Sequence, residues 1–278
     1  MSKKRQPEPI VESLAIIVPA ERAWDALSSP RVLGDLLMGH VEMDTRPGRP
    51  FSWHWGVWAG AAPGKGDFTW RGKVLDAVPG STLVLGGSGM TAVFTVKGDA
   101  GASLVTVVQG SVPPRADAEG HRYGWADFLL KLKTQLERPP LADAIFLRTL
   151  VRATPAEILR TWLSPTAMGK VLPGKVKSQA KPGGRFEWVR KESKGVKDSG
   201  VFLEIVKGHR LAFTWGAGAP VSEVRVAAEA TPYGALVSLE QLSPSQIAGR
   251  NLEGQRRFWS HLLERLRVYF FYGRKIRG

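Results

Sequence analysis

SPRVLGDLLMGHVEMDTRPGRPFSW, residues 29–53, and SPTAMGKVLPGKVKSQAKPGGRFEW, residues 164–188, carry one pattern twice, 135 positions apart. Without a gap, Ser29-Pro30 falls on Ser164-Pro165, Gly34 on Gly169, Leu37 on Leu172, Gly39 on Gly174, Val41 on Val176, Pro47-Gly48 on Pro182-Gly183, Phe51 on Phe186 and Trp53 on Trp188. The first copy then carries an insertion between about Trp55 and Arg71, after which the offset is 128: Gly72 meets Gly200, Asp76 meets Glu204, Gly80 meets Gly208 and Leu83 meets Leu211. Near the end of each copy, Trp125 and Trp259 align at 134 and carry Phe128, Leu129 and Leu132 onto Leu262, Leu263 and Leu266. A period this long is a duplicated domain rather than a solenoid unit. The 278 residues therefore divide into domains at 1–139 and 140–278, the second strongly basic, with a short, stiff Pro139-Pro140 step between them.

Within a copy, the pattern orders the elements. An apolar stretch (Ile10 to Val18; Ala144 to Val151) precedes PAERAWDAL or TPAEILRTWL, and Thr154 followed by Pro155 is a helix N-cap with proline at the first helical position. Ser29-Pro30 and Ser164-Pro165 open a second short helix. Segments punctuated by Pro-Gly and Lys-Gly turns follow and read as an antiparallel meander. Trp125, Phe128, Leu129, Leu132 and Leu136, and Trp259, Leu262, Leu263, Leu266 and Phe270, recur at helical spacing, so a long amphipathic helix closes each copy. The only surface large enough to take its apolar stripe is the sheet. The fold class is α+β: two tandem units, each a curved antiparallel sheet wrapped around a long C-terminal helix, with two short helices after the first strand.

Composition removes several chemistries. The chain has no Cys, which excludes disulfide frameworks, thiolate metal sites and cysteine nucleophiles. The five His residues are scattered, with no paired metal-ligand spacing, so no metal and no cofactor is expected. Gly60 to Lys65 is one residue short of a phosphate loop, Gly216-Ala-Gly218 heads into a strand, and Ser88 lacks the second glycine of a nucleophile elbow. Asp76, Glu187, Glu204 and His209 alternate with apolar neighbours and read as outward-facing, leaving no acid and base pair to carry catalysis. The apolar run Leu14 to Val18 stops at Pro19, too short to cross a membrane, and the expected location is cytoplasmic.

PAERAWDALSSP, the RPG-x-x-F-x-W hairpin, G-x-V-L-D-x-V-P-G-x-x-L and a terminal helix opening with Gly-Trp resemble the activator of heat-shock-protein ATPase C-terminal-like domain of the START, polyketide-cyclase and pollen-allergen superfamily, known as SRPBCC. The second half repeats the motifs as TPAEILRTWLSP, KPGGRF-x-W, G-x-F-L-E-x-V-K-G-x-x-L and FW-x-x-LL. The resemblance implies a helix-grip fold with an apolar cavity between helix and sheet. It also implies one of three roles: binding of hydrophobic small molecules, assistance to a chaperone ATPase, or cyclisation and hydrolysis.

Two sets of residues are candidates for function. Phe51, Trp53, Trp55, Trp125, Phe186, Trp188, Phe213, Trp215 and Trp259 are either plain core or the wall of a cavity for a hydrophobic or amphipathic small molecule. The second set follows from charge: residues 1–138 hold 16 Lys and Arg against 14 Asp and Glu, whereas residues 139–278 hold 23 against 11. Lys175, Lys177, Lys181, Arg185, Arg190, Lys191, Lys194 and Lys197 crowd one stretch of the basic half, which is either a solvated surface or a site for nucleic acid or an acidic protein.

Overall fold

Prolines and short hydroxyl side chains set where the first helices of each unit begin. The computed structural model describes residues 8–37, 39–55, 68–110, 118–137, 143–172, 174–190, 197–216, 221–243 and 252–273, in two compact units, Met1–Pro139 and Pro140–Gly278. The first unit runs β1 (Ile10–Ile16), α1 (Ala20–Ser28), α2 (Pro30–Leu37), β2 (His40–Met43), β3 (Pro50–Trp55), β4 (Phe68–Val78), β5 (Thr82–Gly87), β6 (Met90–Gly98), β7 (Ser103–Gln109) and α3 (Ala118–Glu137). The second repeats this order as β8 (Ala144–Val151), α4 (Pro155–Leu163), α5 (Pro165–Val171), β9 (Gly174–Ser178), β10 (Arg185–Arg190), β11 (Lys197–Val206), β12 (Arg210–Trp215), β13 (Ser222–Thr231), β14 (Gly234–Leu242) and α6 (Leu252–Gly273).

The helix starts differ between the copies. At α4, the Thr154 hydroxyl accepts from the Glu157 amide at 3.2 Å while the Glu157 carboxylate accepts from the Thr154 amide at 2.8 Å, closing a reciprocal capping box. At α1 the same position is Pro19, which offers no side-chain cap. The second helices are matched: the Val32 and Ala167 amides donate to the Ser29 and Ser164 hydroxyls at 3.4 and 3.3 Å.

Each unit folds its strands into one antiparallel seven-stranded sheet, ordered β1-β7-β6-β5-β4-β3-β2 and β8-β14-β13-β12-β11-β10-β9. The first strand thus closes one edge beside the last, and the short second strand makes the other. Turns and irregularities repeat as well. Gly80 and Gly208 sit at φ +82° and +77°, a conformation that a side chain would strain, and both ladders slip at equivalent places, between Val74 and Asp76 and between Phe202 and Glu204.

In each unit the terminal helix lies against one face of its sheet. Trp125 and Phe128 of α3 meet Trp53, Trp70 and Phe94 from β3, β4 and β6, with ring centroids 5.5–6.4 Å apart. Trp259 of α6 lies 4.8 Å from Trp215 of β12. One hydrogen bond recurs at this junction. The indole N–H of Trp125 donates to Gln109 Oε1 at the end of β7 at 2.7 Å, and that of Trp259 donates to Gln241 Oε1 near the end of β14 at 2.6 Å. Gln109 Oε1 also meets His121 Nδ1 at 3.1 Å, and the Gln241 amide nitrogen donates to the Ser222 hydroxyl at 2.7 Å.

Removing the acceptor strands an indole N–H in a dry interior. Gln241→Leu is therefore expected to destabilise the second unit by about 1–3 kcal/mol, with much of that loss recovered in Gln241→Leu combined with Trp259→Phe, which removes the donor too. Urea denaturation of the four corners of this double-mutant cycle measures it, and additive losses would contradict the coupling.

Candidate functional site

Nine side chains of the second unit line a partly open cavity of about 30 Å³: Trp162 from α4, Met168 from α5, Val176 and Ser178 from β9, Phe186 and Trp188 from β10, Phe202 from β11, and Phe213 and Trp215 from β12. At roughly 10–15 Å³ per water, this is room for about two waters. Its inner wall is fixed by ring packing. Phe186 stands edge-on to Phe213 at 5.3 Å and stacks on Trp215 at 6.1 Å, while Trp188 stands edge-on to Trp215 at 5.9 Å. Phe186 can cross the sheet because it pairs with Gly200, where a Cβ would come within 2.7 Å of the Phe186 ring. The outer wall is softer: Val176, Ser178 and Phe186 are half-buried, and all three belong to the edge pair β9–β10.

The lining residues are apolar except for four donors, the Ser178 hydroxyl and the indole N–H groups of Trp162, Trp188 and Trp215. Ser178 Oγ, Trp188 Nε1 and Trp215 Nε1 are buried and have no hydrogen-bond partner. One unsatisfied buried donor costs about 1–3 kcal/mol, so three on neighbouring lining residues are a local cost that an added acceptor within their reach would relieve.

The first unit solves the same region differently. Phe51, Trp53 and Trp125, all buried, pack around Trp70, at 4.8, 5.6 and 6.4 Å, and the Trp70 indole donates to the Gly87 carbonyl at 3.0 Å. Trp53 pairs with Trp70 as Trp188 pairs with Asp198, and the 128-residue offset carries Gly87 onto Trp215. An indole on β4 facing a glycine on β5 has thus become a fully buried carboxylate on β11 beside an indole on β12. Among the described residues no group of three His, Asp or Glu side chains is placed to hold a metal ion.

The structure brings four of the sequence candidates, Phe186, Trp188, Phe213 and Trp215, to the cavity. Trp259 stands behind Trp215 with its N–H already taken by Gln241; Phe51, Trp53 and Trp125 lie in the first unit's ring cluster. The Trp55 side chain lies outside the described residues. Sequence reasoning missed Trp162, Met168, Val176, Ser178 and Phe202. The signal available was the strict alternation in Gly-Lys-Val-Lys-Ser, which turns Val176 and Ser178 inward and Lys175 and Lys177 outward.

Of the basic residues, Lys175, Lys177, Lys181, Arg185 and Lys197 are exposed around the β9–β11 edge. Lys191, Lys194 and the Arg190 side chain lie outside the described residues. Glu187 sits within this group, opposite Lys177 in the ladder and 2.6 Å from Lys197 Nζ. The hydrogen bond from Lys197, assisted by the charges of Lys197 and Lys177, holds the Glu187 carboxyl below its ordinary value.

Residues 17–137 and again 152–270 match the model of one protein family, described as activator of Hsp90 ATPase homolog 1-like protein. The chain belongs to that family. Both units are members, in tandem. Curated proteins give no significant match. Solved structures do: DynU16, a putative protein of the dynemicin biosynthetic locus, is 18% identical over 95% of this chain and 99% of its own, with a TM-score of 0.41. The di-domain ARO/CYC BexL from the BE-7585A biosynthetic pathway is 14% identical over 95% and 97%, TM-score 0.37. The Aha1 dimer from Colwellia psychrerythraea is 13% identical over 46% and 95%, TM-score 0.40.

The Glu187 contact has a definite pH sense. A carboxyl lowered in the folded state contributes its stabilisation above the ordinary carboxylate value and loses it as pH falls through the lowered one. Carbon-13 NMR should find Glu187 titrating below 4.5, and Lys197→Ala should move its midpoint upward; an unmoved midpoint would show that Lys197 is not the cause.

Proposed function

We propose that this protein is a non-catalytic binding protein whose second unit takes up a small, mostly apolar molecule carrying one hydrogen-bond acceptor. The observation that carries this reading is that three residues lining one ring-walled cavity, Ser178, Trp188 and Trp215, hold buried polar atoms without a hydrogen-bond partner. The rings supply apolar contact and the three donors fix the orientation of a carbonyl or ether oxygen. Because the cavity has room for only about two waters, a larger ligand enters by displacing the half-buried wall at Val176, Ser178 and Phe186. β9 has a neighbour on one side only, so this wall can move without breaking the inner ladders. In this reading each sheet curves around its terminal helix, and each of residues 1–139 and 140–278 is a domain in its own right. The protein acts in the cytoplasm; among the described residues no helix is long and apolar enough to cross a membrane.

A second reading rests on the β9–β11 edge, where Lys175, Lys177, Lys181 and Arg185 are exposed and the neighbouring acid, Glu187, is engaged by Lys197. That surface fits an acidic protein partner, in keeping with a family described by its action on a chaperone ATPase. Association through it would weaken steeply with salt.

Calorimetry and tryptophan fluorescence with acetophenone and with ethylbenzene test the first reading. Acetophenone should bind saturably and more tightly than ethylbenzene, and Trp215→Phe or Trp188→Phe, which keep a ring and delete a donor, should each weaken it by roughly 2- to 12-fold. Ring compounds that neither bind nor raise the melting temperature would remove the ligand reading.

A further inference from the structure

Cross-strand register puts Met43 and Ser178 in one place in the two units. Met43, the last residue of β2, pairs with Phe51, and Ser178, the last residue of β9, pairs with Phe186. The two are equivalents at the 135-residue offset, each on the short edge strand of its sheet. Both belong to the helix side: Met43 packs against the buried core of the first unit, and Ser178 lines the cavity of the second.

Bulk changes in opposite directions around that point. Elsewhere in the lining the second unit keeps the first unit's residue or has one of similar or greater size, with Trp162 for Leu27, Phe202 for Val74 and Trp215 for Gly87. Ser178 alone is clearly smaller than its counterpart, by most of a thioether chain. Asp198, which stands where the first unit has Trp70, is not part of the lining. The cavity therefore owes its room to the exchange of methionine for serine, and that exchange lies on its half-buried outer wall.

The first unit shows with its own side chain what this place accepts. Methionine is unbranched, and its rotatable bonds let it follow an irregular gap. The volume agrees: about 30 Å³ admits a few chain carbons, whereas a cavity that takes a benzene ring is about 150 Å³. At its mouth the buried Ser178 hydroxyl has no partner, so it can donate to an oxygen at the head of such a chain.

We propose that the ligand of the second unit inserts an unbranched aliphatic chain past Ser178, into the place that the Met43 side chain takes in the first unit, with a carbonyl oxygen at the chain's head on the Ser178 hydroxyl. This rests on the ligand reading above and adds which part of the molecule goes in first. Residue 178 is then the specificity-determining position: serine admits the chain, and methionine supplies it from within.

Calorimetry on the full chain with hexan-2-one and its branched isomer 3,3-dimethylbutan-2-one tests this, since the two have the same atoms and the same methyl ketone. Hexan-2-one should bind tighter by roughly 10-fold or more. Ser178→Met should abolish its binding with unchanged circular dichroism and no loss of melting temperature, because the first unit holds methionine in this register. Ser178→Ala, which keeps the room and deletes the hydroxyl, should weaken hexan-2-one by roughly 2- to 12-fold and keep the preference for it over the branched isomer. Equal affinity for the two isomers, hexan-2-one binding that survives in folded Ser178→Met, or a wild-type chain that binds acetophenone but not hexan-2-one would overturn chain insertion and leave the ligand reading standing. A wild-type chain that binds none of the three ketones removes both.

Discussion

An indole N–H held by a glutamine carbonyl is the constraint from which the rest of each unit follows. Trp125 on Gln109 and Trp259 on Gln241 tie the terminal helix to the last strand of the sheet at one fixed height. Apolar packing alone would let a helix slide along a sheet, because burial is nearly indifferent to register. A buried donor with a single acceptor is not: displacement by one turn leaves both groups unsatisfied. With the helix fixed, Phe128 finds Trp53 and Phe94 in the first unit, and Trp259 and Phe258 close on Trp215 in the second.

Once that attachment is made, the two copies are free to differ elsewhere. The first keeps its large ring on β4, satisfies it through Gly87 and fills its interior. The second moves the ring to β12, places the Asp198 carboxylate on β11 and leaves a small cavity. The outer faces differ as well: the first sheet has a valine row, Val11, Val108, Val93 and Val84, where the second has Phe146, Glu240, Arg225 and Ala212.

Much of this is legible in the residues. Ser-Pro, Pro-Gly and the paired Trp positions repeat at near-constant offsets because they mark turns, caps and the helix attachment, which tolerate few alternatives. The helix stripe from Trp125 to Leu136 is buried throughout, as its spacing requires. What the sequence hides depends on contacts distant along the chain. Trp162 and Met168 join the cavity only because α4 and α5 dock beside β9, which no local pattern announces. The exchange of Trp70 for Asp198 falls beside the insertion, where the alignment of the copies breaks. Trp125 and Trp259 read equally well as cavity wall; only the glutamine opposite each shows that its polar end is already engaged. The valine row is invisible until cross-strand register aligns four residues separated by up to 97 positions.

The two helix beginnings at Pro19 and Thr154 carry a last implication. A reciprocal cap holds the first turn of α4 closed, whereas α1 begins with amides that nothing from its own N-cap residue satisfies. An N-cap is worth about 1 kcal/mol, so fraying at the start of α1 is about five times more populated than at α4, other contacts being equal. The duplicated halves therefore differ in how readily they breathe: the copy with the filled interior has the looser shoulder, and the copy with the hollow is fastened beside it.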